Sequence, residues 1–202
     1  MEDAQESWPV AATEPLLKHW LLEVRSDKVQ MPDKHFAERT VVSHPGAVAV
    51  VALDDASQVL MIRQYRHPVG YQLWEIPAGL RDAAGEPPLE TARRELFEET
   101  GHRAREWHVL IDYFTSPGYS TERLRIYLAR GVEQVKDDEG PRYVPHDEEK
   151  FLEQQWVPLE EAVTLAFAGK LHNSAAITGV LAAQTARSDG FRGIRPADAP
   201  EP

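Results

Sequence analysis

The chain of 202 residues contains no cysteine, which excludes disulfide staples and thiolate metal sites outright. It also lacks a long apolar run. The most hydrophobic stretch, "AVAVVAL" from Ala47 to Leu53, is far shorter than the ~20 residues of a membrane-spanning helix. Basic residues are scarce, 22 against 33 acidic ones, and the net charge of -11 argues against nonspecific binding to nucleic acid or an anionic membrane. The start, "MEDAQESWPVAATEP", has neither the basic beginning nor the apolar centre of a signal peptide, so a cytoplasmic protein is expected. The eight histidines form no His-Glu-x-x-His pair, which disfavours a zinc hydrolase. "GLRDAAGE" lacks the Gly-Lys-Ser/Thr ending of a Walker-type phosphate loop, and no serine sits in a G-x-S-x-G elbow. What remains, 42% hydrophobic and 27% charged, is the composition of an ordinary globular domain.

No internal repeat is visible. Residues 1–17 and 191–202 are rich in Pro, Ala and acidic residues and are expected to be flexible. "HWLLEVRSDKV" and "HFAERTVVSH" predict a hairpin around the turn "MPDK", giving an N-terminal β subdomain over residues 18–45. The remaining domain, 46–190, opens with the buried strand "GAVAVVAL" and the strand "QVLMIRQYR", then the short strand "LWEIPAG". Later strands are "WHVLIDYFTS", "RLRIYLARGV" and "FLEQQWVPL". "LEEAVTLAFAGKL" and "NSAAITGVLAAQTAR" read as helices, the second capped by Asn173 or Ser174. Strands and helices mix without a regular βαβ rhythm, so the expected class is α+β, with a mixed sheet between helices.

One further helix is set by Pro87 and Pro88 at its first turn and by Gly101 at its end. Leu89, Ala92 and Leu96 share the face that would be buried. Glu95, Glu98 and Glu99 lie at i, i+3 and i+4 and project from adjacent points of one face. A solvated face laced with ion pairs is one reading, with Glu90 and Arg94 in the favourable i, i+4 order; the like-charge penalty is only about 0.2–0.5 kcal/mol per pair. A divalent cation site is the other. Hard cations need several oxygens at short range, and the "IPAG" loop brings carbonyls such as that of Ala78 nearby.

The stretch from Gly79 to His102 resembles the Nudix hydrolase box, G-x5-E-x7-R-E-U-x-E-E-x-G-U, where U is a bulky aliphatic residue. Gly79, Glu86, Arg94, Glu95, Leu96, Glu98, Glu99 and Gly101 take its fixed places. There are two departures. Six residues separate Gly79 from Glu86, one more than the pattern, and His102 stands where an aliphatic residue is usual. The extra residue falls in the loop, so the helix keeps its register, while the histidine bears on packing rather than chemistry.

The resemblance implies hydrolysis of the pyrophosphate of a nucleoside diphosphate derivative, using Mg2+ or Mn2+. Ala78 through its carbonyl, Glu95 and Glu99 would hold metal, and Glu98 would be a further ligand or support. Glu98 and Glu99 are thereby catalytic candidates. Arg94 would orient a glutamate and Leu96 would be core. A cation neutralises the diphosphate and orients water, so the anionic helix needs it to meet an anionic substrate.

"QYRHPVGYQLWEIPAGL" and "SPGYSTERLRIYLA" are similar to the ADP-ribose pyrophosphatase branch, in which a proline some way past the box marks substrate class. Pro117 sits there, about fifteen residues on. This implies ADP-ribose cleaved to AMP and ribose 5-phosphate; NADH, sugar nucleotides and dinucleoside polyphosphates use the same box. Arg39 and Arg66 match arginines that contact the diphosphate, and Glu75 would touch metal or the terminal ribose. A loop acid is also implied, with Glu148 or Glu149 of "HDEEK" as candidate; its bland reading is a solvated acidic loop. The branch commonly exchanges its N-terminal strands between subunits, which implies a homodimer built on residues 18–45. A non-catalytic ADP-ribose sensor is the rival class, but every box glutamate is present, and the chain is expected to be too short and too acidic to carry an added winged helix.

Overall fold

The computed structural model describes residues 1–135 and 151–201, and the chain divides into two compact units. The first comprises residues 1–46 and 114–123. Its strands β1 (Val10–Lys18), β2 (Glu23–Gln30) and β3 (Phe36–Ser43) form an antiparallel sheet in that order. The β2–β3 turn closes where "MPDK" predicts it, with Met31 N–H donating to His35 O at 2.8 Å. β1 begins at Val10, inside the segment expected to be flexible. Its backbone pairs with β2, and buried Asp27 of β2 accepts from Thr13 at 2.8 Å and from Arg25 at 3.0 Å. Pro15 is tolerated because β1 is an edge strand with an irregularity between Pro15 and Leu17. Residues 114–123 return to β3, where Val42 N–H donates to Tyr119 O and Thr121 N–H donates to Val42 O.

The second unit runs over 47–113 and 124 onward. Its elements are β4 (Ala47–Leu53), β5 (Gln58–Arg66), β6 (Tyr71–Glu75), β7 (Ala78–Leu80), α1 (Pro88–Thr100), β8 (His102–Phe114), β9 (Arg123–Gln134), β10 (Glu153–Pro158), α2 (Leu159–Phe167), α3 (Ser174–Ser188) and β11 (Arg195–Pro196). The sheet order is β10-β5-β4-β9-β8-β11, with β6 on β5 and β7 on β4. β4 and β9 run parallel while β10 and β5 run antiparallel, so the sheet is mixed.

β4 is buried along its whole length and serves two cores through its two-residue period. Val48, Val50 and Ala52 pack with Ala92 and Leu96 of α1, and with Leu60, Trp107 and Tyr127. Ala49, Val51 and Leu53 pack on the other face with Ile126, Leu128, Leu159 of α2 and Val180 of α3. Each such Val or Leu contributes about 1.5–3 kcal/mol, so the two layers fix where α1 lies against the sheet. The sandwich of a mixed sheet between helices is the expected α+β class. The expected "LWEIPAG" strand is broken at Ile76–Pro77 into β6 and β7, and Pro77 O accepts from Val50 N–H at 2.8 Å. Asn173 caps α3, its side chain accepting from Ala176 N–H at 2.8 Å.

The C-terminal segment, expected to be flexible, is docked. Arg195 and Pro196 pair with Val109 and His108 of β8, and Arg195 reaches Asp112 at 2.8 Å. Its polar composition conceals this, because it docks through backbone pairing and a buried Asp112 as well as through Ala197 and Ala199. Among the described residues no helix is long and apolar enough to cross a membrane.

Candidate active site

α1 starts at Pro88, whose missing N–H costs nothing in a first turn, and ends where Gly101 adopts φ 70 and donates to Phe97 O at 2.8 Å. Ala92 and Leu96 are fully buried, with Leu89 packed partly beside them, as their spacing predicts. That burial turns the glutamate face toward β7. Ala78 pairs with Ala49 and Gly79 with Val48, which fixes β7 on β4. The Ala78 N–H donates to Glu99 Oε2 at 2.9 Å. A Cβ on Gly79 would lie 2.0 Å from Glu95 Cδ, so only glycine lets Glu95 lie against the strand.

Arg94 is the hub of the remaining glutamates. Its Nε and Nη2 donate to the two oxygens of Glu86 at 3.2 and 3.1 Å, and Nη1 donates to Glu95 at 2.6 Å and Glu98 at 2.9 Å. Arg94 therefore orients glutamates, as the resemblance implies, but the expected Glu90–Arg94 pair does not form. Glu90 binds Arg93 instead, at 2.7 Å, because the Arg94 guanidinium is taken by three other carboxylates. The hydrogen bonds from Arg94 hold the Glu86 carboxyl below its ordinary pKa; burial opposes this and Thr91 assists, its hydroxyl donating at 2.9 Å. Arg94 is itself held more firmly protonated, chiefly by Glu86.

Glu99 is in the opposite condition. Burial drives its pKa up to about 8, the Ala78 N–H opposes the shift, Glu95 adds to it, Arg66 opposes and Glu75 adds. Placed so, the carboxyl favours its neutral form near neutral pH. Glu75 is 2% exposed and locked to Arg66 by paired hydrogen bonds of 2.8 and 2.7 Å. Glu75 stands opposite Ile62 and Arg66 opposite Tyr71 on the same face of the β5–β6 pair, so the long Arg66 side chain reaches back along that face to Glu75.

Among the described residues no three acidic or histidine side chains stand close enough to hold an ion as arranged. The reason lies in the wiring: Glu86, Glu95 and Glu98 are drawn onto Arg94. The donor chemistry nevertheless fits a hard divalent cation, since the set is carboxylate and carbonyl oxygen throughout and a cation beside Glu99 would favour the charged form that burial opposes. An incoming ion would compete with Arg94 for Glu95 and Glu98.

The structure thus gathers Glu75, Ala78, Glu95, Glu98 and Glu99 with Arg66 in one unit. Arg39 and Pro117 belong to the other unit. Arg39 donates to Glu38 O at 2.9 Å. Glu148 and Glu149 lie outside the described residues. Sequence reasoning overlooked Thr91, which is fully buried on Glu86, and Gln154, which donates to Glu99 O at 3.0 Å. Glu86 stands just before the N-cap Pro87 and Thr91 at the fourth helical position, two places that face each other at a helix start, and that spacing is the available signal. His102 does the packing of the aliphatic residue it replaces. It is buried, stands edge-on to Trp156 at 5.7 Å, and donates from Nδ1 to Thr100 O at 2.8 Å; burial lowers its pKa and that hydrogen bond opposes the shift.

The family profile of the NUDIX domain matches residues 43–177. An ADP-ribose pyrophosphatase of Mycobacterium tuberculosis is 44% identical over 195 residues, 96% of this chain and 91% of that protein. An ADP-ribose pyrophosphatase of Bacillus subtilis is 34% identical over 163 residues, 81% of this chain and 85% of its own. The crystal structure of an ADP compounds hydrolase superposes with TM-score 0.71 at 20% identity, covering 94% of this chain and 100% of that one. This last likeness speaks for the fold.

Proposed function

The chain belongs to the NUDIX domain family, and from that premise we propose that it hydrolyses the pyrophosphate bond of ADP-ribose to AMP and ribose 5-phosphate, using Mg2+ or Mn2+. The observation that carries this reading is the pairing of near-full-length similarity to ADP-ribose pyrophosphatases with an unbroken set of box side chains around Glu99.

The Ala78 carbonyl, Glu95 and Glu99 would hold the divalent ion, which supplies charge neutralisation of the diphosphate and an activated water. Glu98 supports this set from the same helical turn, within reach of Arg94 at 2.9 Å. Arg66, half-exposed and braced by Glu75, presents cationic charge to a diphosphate oxygen, and Arg39 is assigned the same task. Glu75 orients Arg66 as much as it faces metal or ribose, because both its oxygens are engaged. Glu148 or Glu149 takes the proton of the attacking water, whose oxygen bonds to one phosphorus as the bridging P–O bond breaks. Pro117 shapes the substrate-class loop.

The protein acts as a cytoplasmic homodimer built through its N-terminal strands. Support comes from β1, exposed over its full length with Leu16 and Leu17 outward, and from exposed Trp20 just beyond it. A net charge of -11 accords with a small-molecule substrate rather than nucleic acid or membrane. The test is a panel of ADP-ribose, NADH, a sugar nucleotide and a dinucleoside polyphosphate with Mg2+ and Mn2+, products read by chromatography. AMP and ribose 5-phosphate from ADP-ribose are expected. Cleavage of a sugar nucleotide with ADP-ribose untouched would overturn the substrate assignment.

A further inference from the structure

The segment Arg195–Glu201 is tied across the α1 layer by a buried ionic network. Arg125 and Asp112 side chains are each 3% exposed, and Arg125 holds both oxygens of Asp112 at 2.7 and 3.0 Å. A buried pair of this kind is costly unless its remaining polar groups are also satisfied. The chain end supplies them: Arg125 donates to Ala199 O at 2.7 Å and Pro200 O at 3.0 Å, and Arg195 reaches Asp112 from the other side. Ala197 and Ala199 pack against the core that contains Ala92 and Leu96.

Beyond that anchor, Glu201 accepts from Arg81 Nη1 at 2.7 Å, with both side chains about three-quarters buried (25% and 23% exposed). Arg81 directly follows β7, whose Ala78 and Gly79 contact Glu99 and Glu95. It also opens the loop to Glu86, which Arg94 and Thr91 hold. That loop carries one residue more than the motif spacing, between a Gly79 paired with Val48 and a Glu86 held by Arg94 and Thr91, and Arg81 is where the chain end reaches it.

We propose that Glu201 is a positioning residue: acting through Arg81, it fixes the Gly79–Glu86 loop so that β7 and the α1 glutamates meet a divalent cation in register. The proposal rests on the metal-dependent reading above. The C-terminal strap is thus part of the site's support although it touches none of the reacting atoms.

The experiment uses the full chain with Glu201→Ala, Arg81→Ala and the exchanged pair Arg81→Glu/Glu201→Arg. Amide hydrogen exchange of residues 80–86 is measured without metal or substrate, and Mn2+ binding is followed by electron paramagnetic resonance. Both single variants should speed exchange in that loop and weaken Mn2+ binding by about two- to five-fold, the scale of a partly buried ion pair. The exchanged pair should restore both, and the KM for ADP-ribose at saturating metal should stay unchanged. Exchange at wild-type rates in the single variants overturns the proposal, and so does an exchanged pair as weak as either single. If these effects appear while ADP-ribose is not cleaved, the substrate assignment falls and the strap stands.

Discussion

The Ala78 N–H donates to Glu99 Oε2 at 2.9 Å, so one hydrogen bond joins a three-residue strand to the last turn of α1. It matters because Ala78 offers its N–H to a glutamate and leaves its carbonyl as a candidate ligand. The relationship also explains how a carboxylate can stay buried with its pKa driven up to about 8 by burial.

Glu99→Gln tests this directly. Glutamine keeps an acceptor for the Ala78 N–H and resembles the neutral acid that burial favours, but it cannot supply the carboxylate a cation needs. Folding should be intact, with a Tm equal to or above wild type in the absence of metal. Loss of a ligand should cost kcat/KM at least about 100-fold, more than an outer support would. Steady-state hydrolysis of ADP-ribose beside a thermal melt separates the two effects. A near-normal rate would remove Glu99 from the ligand set.

Arg94→Ala should act on stability and metal response in opposite directions. Without the guanidinium, Glu86, Glu95 and Glu98 repel one another, and unpairing such partly buried carboxylates should cost about 1–3 kcal/mol. Mn2+ would then meet no competitor for Glu95 and Glu98. The expected result is a lower Tm in chelator and a larger rise on adding Mn2+ than wild type shows. An equal rise in both proteins would mean that Arg94 and the ion do not compete.

Gly79→Ala places a Cβ 2.0 Å from Glu95 Cδ, and either Glu95 or β7 must move. Overpacking of this kind costs about 1–3 kcal/mol. Activity should fall further than stability suggests, because the displaced group is a candidate ligand. The discriminating measurement is the Mg2+ concentration for half-maximal rate, which should rise several-fold; an unchanged value with a lowered Tm would leave Gly79 a packing residue only.

The helix was readable from the sequence because its information is local. Glu95, Glu98 and Glu99 share a face by period, Leu96 is buried by the same period, and Gly101 ends the helix at φ 70. The wiring was not readable. Glu86 reaches Arg94 across eight residues of loop and helix start, while local spacing favoured Glu90. The bidentate Glu75–Arg66 pair depends on the β5–β6 register, which composition does not specify. The docked end of the chain is the clearest miss. Arg125 and Ala199 lie 74 residues apart in sequence, and a polar Pro-rich tail carries no pattern that announces a buried guanidinium waiting for its carbonyls.

Chelation gives a prediction independent of any substitution. Removing divalent ions should abolish hydrolysis, and Mg2+ or Mn2+ should restore it. Metal should also raise Tm, since an ion that binds only the folded chain stabilises it, by about 2.7 kcal/mol at 100 times Kd. Activity that survives exhaustive chelation would overturn the metal-dependent mechanism.

His102 yields a prediction about acid stability. Its ring is buried beside Trp156 and Thr100, with Nδ1 donating to Thr100 O, and burial lowers its pKa below the ordinary 6.5. In the unfolded chain the imidazole takes a proton as pH falls through about 6.5, while the folded ring resists it. The unfolded state therefore binds more protons in that window, and stability is lost as pH drops below it; above it the contribution is fully present. His102→Leu places an apolar side chain on Trp156 and removes the titration. Melts of the two proteins from pH 7.5 to 5 should diverge, the wild type losing Tm faster on the acid side. The comparison is between two proteins that share every other titrating group, so the difference belongs to residue 102. Parallel curves would show that the ring charges as freely when folded as when unfolded, and that its burial carries no electrostatic cost.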